Sequence, residues 1–369
     1  MPPDSPALAA LLAQRLVVCV GNGGVGKTTT AAALAMASAL RGRPTAVITV
    51  DPSRRLQDAL GLGALTGEPR AVALGGGAAP LDALTLDTKR TFDRLIARVA
   101  PSPQVAERIF ANRLYQEISS ELGGSTEYMA MEKLHELLQH DRYELIVVDT
   151  PPSADVRQLL AAPLRMTDLL ASQAVHFLKA PASIITGSES SLMRMTLSTV
   201  LKALERWTGM TLLRELSDFV AGFEHLIDGF RARADAIGQA LRAPDTSFAI
   251  IATPDPSTVQ ATLAFDRELR DAGYSVAGII ANRVYDFPPL SPNAGARVPA
   301  ALRDKLVANY ADFAALTARD RAALDTLQNE AAVPLLAALP VLEEAPASVD
   351  ALRRIAALLG ADKAARARA

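Results

Sequence analysis

Gly21-Asn-Gly-Gly-Val-Gly-Lys-Thr-Thr-Thr30 follows an apolar run, Leu16-Val-Val-Cys-Val20, and leads into an alanine-rich run from Thr29 to Leu40. The order is strand, glycine loop, helix. Gly21, Gly26, Lys27 and Thr28 fill every fixed position of G-x-x-x-x-G-K-[ST], which is the P-loop pattern in the context it requires. Glycines let successive backbone N–H groups turn inward around a phosphate. A helix beginning at Lys27 adds the positive end of its dipole. The loop residues Gly21, Asn22, Gly23, Gly24, Val25 and Gly26, with Lys27, Thr28 and Thr29, are therefore expected to cradle phosphates. Lys27 is expected to reach the β- and γ-phosphates, and Thr28 to offer its hydroxyl to Mg²⁺.

Working outward, a second apolar run, Thr45 to Val50, ends at Asp51-Pro-Ser-Arg-Arg55. A carboxylate at the C-terminal edge of such a strand lies beside the nucleotide in doubly wound sheets. Asp51 is the candidate to orient an attacking water and accept its proton. Leu145-Ile-Val-Val-Asp149 has the form of a Walker B strand, four apolar residues and then a carboxylate for the Mg²⁺ shell. Thr28, Asp51 and Asp149 make the expected metal set. A further strand, Val276 to Ala281, is followed by Asn282-Arg283, whose amide suits an adenine edge.

The βα rhythm occupies both ends of the chain. Strands are expected at Leu84–Asp87, Ser247–Ala252 and Leu335–Leu339, and helices at Ser257–Ala272, roughly 300–331, and Ser348–Leu359. Residues 62–80, rich in glycine, alanine and proline, read as a loop. Thr88 to His140 reads as helix, broken near Pro101-Ser-Pro103 and Gly123-Gly124, and residues 155–242 show no strand pattern. These features predict an α/β P-loop NTPase with a mainly parallel sheet flanked by helices. Residues 1–369 would form a single domain, with a helical subdomain inserted mid-chain from approximately residues 88–140 and 155–243.

Composition narrows the function classes. Half the residues are hydrophobic but only 5% aromatic, the signature of an aliphatic core around buried parallel strands. A net charge of −2 gives no reason to expect nucleic acid. The single cysteine, Cys19, rules out an internal disulfide or a cysteine-based zinc or arsenite site within one chain. No basic leader precedes the first apolar run, and no stretch approaches the ~18 apolar residues of a membrane span, so a cytoplasmic protein without an integral membrane segment is expected.

Taken together, these stretches resemble the arsenite-pump ATPase family (ArsA-like), which includes the ATPases that deliver tail-anchored membrane proteins. GGVGKTTTAAALA resembles its P-loop, TVDPSRRLQDALG its switch I, and YELIVVDTPPS the strand and entry to switch II. NRV at Asn282–Val284 and LPVLEEAPASVDAL at Leu339–Leu352 resemble its adenine-binding segments. The resemblance implies ATP and Mg²⁺ as cofactors, Asp51 and Lys27 as catalytic residues, and Asn282, Arg283, Pro340, Val341 and Leu342 around the base. It implies a nucleotide-switched dimer, either a homodimer or a heterodimer with a lysine-bearing paralogue, that holds a hydrophobic protein client. Departures qualify it: Arg55 stands where switch I often carries a partner-facing asparagine, and the family's zinc-binding and arsenite-sensing cysteines have no counterparts. Asn22 stands where the family usually has a lysine that reaches the partner's phosphates, and Ser153-Ala-Asp155 stands where switch II usually continues Thr-Gly-His. These suggest, as an alternative, a low-turnover regulatory or scaffold subunit; a second alternative is a partitioning-type ATPase, whose members are usually shorter and lack this long helical insert. For the client, Met166, Met193, Met195 and Met210 are candidates for a flexible surface, and the stripe from Leu212 to Phe230 reads mainly as core.

Overall fold

The computed structural model describes residues 5–51, 53–112, 115–116, 125–171, 227–289, 299–342 and 348–360. They group into two compact units. The first comprises Met1–Leu86, Leu137–Arg157 and Leu241–Ala369, and the second Asp87–Glu136 and Gln158–Ala240.

The first unit is built on an eight-stranded sheet. Its strands in chain order are β1 (Leu16–Val20), β2 (Thr45–Thr49), β3 (Arg70–Ala71), β4 (Leu81–Thr85), β5 (Leu145–Asp149), β6 (Thr246–Ala252), β7 (Val276–Val284) and β8 (Leu335–Pro340). Across the sheet the order is β3-β4-β2-β5-β1-β6-β7-β8. Every pairing is parallel except β3 with β4. β1, β2, β5 and β6 are buried along their whole length, which explains why they read as unbroken apolar runs rather than alternating ones.

Helices link the parallel strands, as such crossovers require. In chain order the described helices are α1 (Pro6–Leu12), α2 (Lys27–Ala39), α3 (Arg55–Ala59), α4 (Thr88–Val99), α5 (Pro103–Ala111), α6 (Ser125–Gln139), α7 (Ser153–Ala171), α8 (Ile227–Ala240), α9 (Pro256–Asp271), α10 (Ala300–Glu330) and α11 (Val349–Gly360). α2 is buried on nearly every side, between the sheet and α11. Its run of alanines permits this: small side chains bring Leu352, Ile355, Ala356 and Leu359 of α11 onto the same core as the β1 and β5 side chains. None of the described helices is long and apolar enough to cross a membrane.

The structure moves some boundaries. β4 begins at Leu81, three residues before the expected start, because Asp82 hides the strand pattern. Its carboxylate is buried, and its Oδ2 accepts from Arg142 at 2.6 Å and Tyr143 at 2.7 Å. A buried carboxylate paired in this way is compatible with a strand interior. β3 falls inside the stretch expected to be loop; its two residues are exposed. β7 runs on through Asn282 and Arg283, which sequence reading places after the strand.

In the second unit, Phe92 stacks on Tyr115, and Phe230 packs against Phe92 and Tyr128. Phe230, the last residue of the predicted apolar stripe, is buried. Arg233 grips the buried carboxylate of Glu132, donating from Nε to both oxygens. Residues 212–226, Met193, Met195 and Met210, and the side chain of Met166 lie outside the described residues.

Candidate functional site

The loop from Gly21 to Gly26 leaves the C-terminal end of β1 and enters α2 at Lys27. Gly26 caps the helix in a left-handed conformation, φ +93°, with no side chain bonded to the first-turn amides. Those N–H groups have no partner within a helix and need one from outside it. Gly21 is equally constrained. A Cβ there would run into the Ile251 carbonyl of β6, so only glycine lets the loop pass this close.

Lys27 is buried, and its Nζ donates to Gly21 O at 3.0 Å and Asn22 O at 2.9 Å. The ammonium is thus folded against the loop that carries it. Burial lowers its pKa, and the Asp149 carboxylate works in the opposite direction. Thr28 Oγ1 donates to Asp149 Oδ2 at 2.7 Å. Thr49 Oγ1, from the end of β2, donates to the same oxygen at 2.9 Å. Asp149 Oδ1 is buried and has no hydrogen-bond partner among the described residues. Burial pushes the Asp149 carboxyl up to about 6, while the two threonine hydroxyls pull it down. A buried carboxylate oxygen with nothing to accept from, beside a threonine hydroxyl, is a hard oxygen donor set. Mg²⁺ is held by one or two carboxylates together with substrate phosphates, so these residues fit that ion.

Asp51 follows β2 and is half-buried. Its Oδ1 accepts from Ser53 N at 2.8 Å, while Oδ2 lies 3.7 Å from Arg55. Arg55 is 70% exposed, so this pair is weak and easily rearranged. The Asp51 charge works against the burial that lowers the Lys27 pKa and adds to the burial that raises the Asp149 pKa. Cys19 is fully buried and its thiol pKa is pushed up by burial, consistent with a core residue.

Beside the loop lies a cavity of about 300 Å³. Gly26 and Thr29 line one end, and Asn282 and Arg283 one wall. Leu339, Pro340, Val341 and Leu342 line another wall, and Ile355 and Leu358 of α11 complete it. A largely apolar slot with a few polar groups, opening on a phosphate loop, suits a planar base. Sequence reading missed three participants. Thr49 signals itself only as a hydroxyl two residues before Asp51. Ile355 and Leu358 show an i, i+3 apolar pair, which α11 would carry in any case for its core face. The long-range contact of Asn282 with the loop had no sequence signal. Its Nδ2 donates to Val25 O at 2.8 Å.

A parallel sheet with a glycine loop, a buried lysine, a Walker B aspartate and a base-sized slot at the carboxyl ends of its strands defines a P-loop nucleotide-binding protein. Within that class, the sequence profile described as anion-transporting ATPase (ArsA) matches residues 14–293, and the chain belongs to that family. Similar proteins include Protein Rv2184c of Mycobacterium tuberculosis, 33% identical over 161 residues, which are 40% of this chain and 37% of that protein. ATPase ASNA1 homolog 2 of Paramecium tetraurelia is 32% identical over 144 residues, 39% of this chain and 42% of the relative. ATPase get3 of Aspergillus terreus is 29% identical over 170 residues, 45% of this chain and 49% of the relative. The matches thus span less than half the length of these relatives.

Proposed function

We propose that this chain binds Mg·ATP and hydrolyses it, and that its nucleotide state switches a dimer that holds an apolar client. The observation that carries the nucleotide reading is the convergence of Lys27, Thr28 and Asp149 on one loop whose end lines the Asn282–Leu342 cavity. In this reading Lys27 exchanges its two loop carbonyls for phosphate oxygens, a gain in charge-assisted bonding. The first-turn amides of α2 take the remaining phosphate charge. Thr28 and Asp149 hold Mg²⁺, which when bound neutralises charge on the phosphate oxygens. Asp51 orients the attacking water and accepts its proton at a carboxylate oxygen. Arg283, Pro340, Val341 and Leu342 enclose the base. The dimer and its client rest on the family resemblance.

Thermal unfolding with and without Mg·ATP tests the binding step. A ligand at about 100 times its Kd stabilises the folded state by about 2.7 kcal/mol. A clear rise in Tm at millimolar ATP is expected, and no rise would overturn the assignment. Phosphate release from the purified protein tests the chemistry.

Asn22 favours a second reading, a dimer with slow intrinsic turnover. An amide donates a hydrogen bond but brings no charge to a partner's phosphates, whereas a trans cation is worth on the order of 10³–10⁵ in rate. Faster phosphate release by Asn22→Lys supports it; rapid turnover of the wild type as a strict monomer overturns it.

A further inference from the structure

β7 lies two places from β1 in the sheet, yet Asn282 near its end touches the loop that follows β1. The contact has two parts. Nδ2 donates to Val25 O at 2.8 Å. The same nitrogen fills the space that a Cβ on Gly26 would need, so the left-handed glycine and the asparagine fit each other. The β7 backbone is irregular at this point. Arg283 has φ 58°, the single non-glycine residue with positive φ among the described residues, and the β7–β8 register shifts between Ala281 and Val284. A left-handed arginine is a strained conformation, and such strain persists only where the surroundings impose it.

The chemistry of the peptide unit says what the bond achieves. Val25 C=O and Gly26 N–H belong to one planar trans peptide and point in opposite directions. A donor held on Val25 O therefore fixes the direction of the Gly26 N–H, on the side away from Asn282. Phosphate loops bind through N–H groups aimed in this concerted way. The amide of Asn282 also lines the base-sized cavity, and after its bond to Val25 it keeps a second N–H and a carbonyl oxygen.

We propose that Asn282 is a positioning residue for the phosphate loop as well as a wall of the base pocket, so that filling the pocket and ordering the loop are energetically coupled. This rests on the nucleotide reading given above. Coupling of this kind is reciprocal: whatever the base side does for phosphate affinity, phosphate does for the base.

The test uses Mg²⁺ with inorganic tripolyphosphate, which has no base, alongside ATP and GTP. Calorimetric titrations compare the full-length wild type with Asn282→Leu, which keeps the volume but removes the donor, and with Asn282→Ala. Loss of one buried donor is expected to weaken tripolyphosphate binding about tenfold in both variants. In the wild type, adenosine should raise tripolyphosphate affinity about fivefold or more, and in Asn282→Leu this factor should fall to one. Amide exchange without ligand should quicken over residues 22–28 while β1 and β6 stay protected. Unchanged tripolyphosphate affinity, with only the choice between ATP and GTP lost, would reduce Asn282 to a base reader and overturn the proposal. Uniformly faster exchange across the sheet would overturn it in favour of a merely structural role. A wild type that binds ATP and tripolyphosphate but shows no adenosine coupling would overturn the coupling while leaving the nucleotide reading intact. A wild type that binds neither phosphate ligand would remove the nucleotide reading itself, and the proposal with it.

Discussion

On its β6–β7 side the phosphate loop is held by neutral contacts. Gly21 lies against the Ile251 carbonyl, Gly26 against the Asn282 amide, and Val25 O accepts from that amide. On its β2–β5 side the neighbours are ionic. Asp149 is buried with one oxygen unpartnered among the described residues, and Asp51 is half-buried with a loose Arg55 beside it. Backbone packing and neutral hydrogen bonds respond little to pH or salt, whereas carboxylates respond to protons, metal and phosphate charge. One flank is therefore set by packing and neutral bonds. The other carries the groups that respond to protons and salt.

The sharpest way to break this comparison is Asp51→Asn. If the ionic flank does the chemistry, turnover should fall by about 100-fold or more while ATP affinity stays nearly constant. Steady-state phosphate release and nucleotide titration read the two quantities separately. Equal losses in both would make Asp51 a metal-shell or structural residue.

Next in size is Lys27→Ala, which removes the cation folded against the loop. Charge-assisted bonds are worth about 1.5–3 kcal/mol, so ATP affinity should drop about 10- to 150-fold and the ATP-dependent rise in Tm should shrink accordingly. An undiminished rise would place the phosphates elsewhere.

A third test probes the neutral flank at its base. Asp255 caps α9, just beyond the β6 residue Ile251, and accepts from Thr253, Ser257 and the Thr258 amide. Burial raises its pKa somewhat, but the bonds from Thr253, Thr258 and Ser257 outweigh this and hold it well below the ordinary 3.8. Because the folded-state value is depressed, the cap stabilises fully above 3.8 and its contribution fades as pH falls through the lower folded-state value. Asp255→Ala should cost about 1 kcal/mol in urea unfolding at neutral pH, with the difference shrinking in strong acid. A constant difference across that range would show that the cap acts by packing rather than charge.

The smallest effect is expected for Arg55→Ala. Its ion pair with Asp51 is long and exposed, so stability should change by about 0–1 kcal/mol in chemical denaturation. A larger loss would mean that the ionic flank is braced as firmly as the neutral one.

Local patterns make much of this protein readable along the chain. Strand β1, the glycine loop and α2 are contiguous, and each is specified by neighbours a few residues away: an apolar run, glycines where φ must be positive, and alanines that favour helix. β5 announces itself by four apolar residues before Asp149, because a strand buried on both faces tolerates little else. β4 is legible only in part, since the partners that make Asp82 acceptable, Arg142 and Tyr143, lie some 60 residues on.

By itself, then, the sequence determined the fold class, the glycine loop between β1 and α2 and the identity of the charged residues near it, because those depend on spacing along the chain. Only the tertiary structure decided which groups meet. Parallel strands join through long crossovers, so the order β3-β4-β2-β5-β1-β6-β7-β8 sets neighbours that no local pattern encodes. That order brings Thr28 and Thr49 onto one oxygen of Asp149. It also carries Asn282 to Val25, 257 residues away in sequence, where an irregular strand end and a left-handed glycine leave room for one amide.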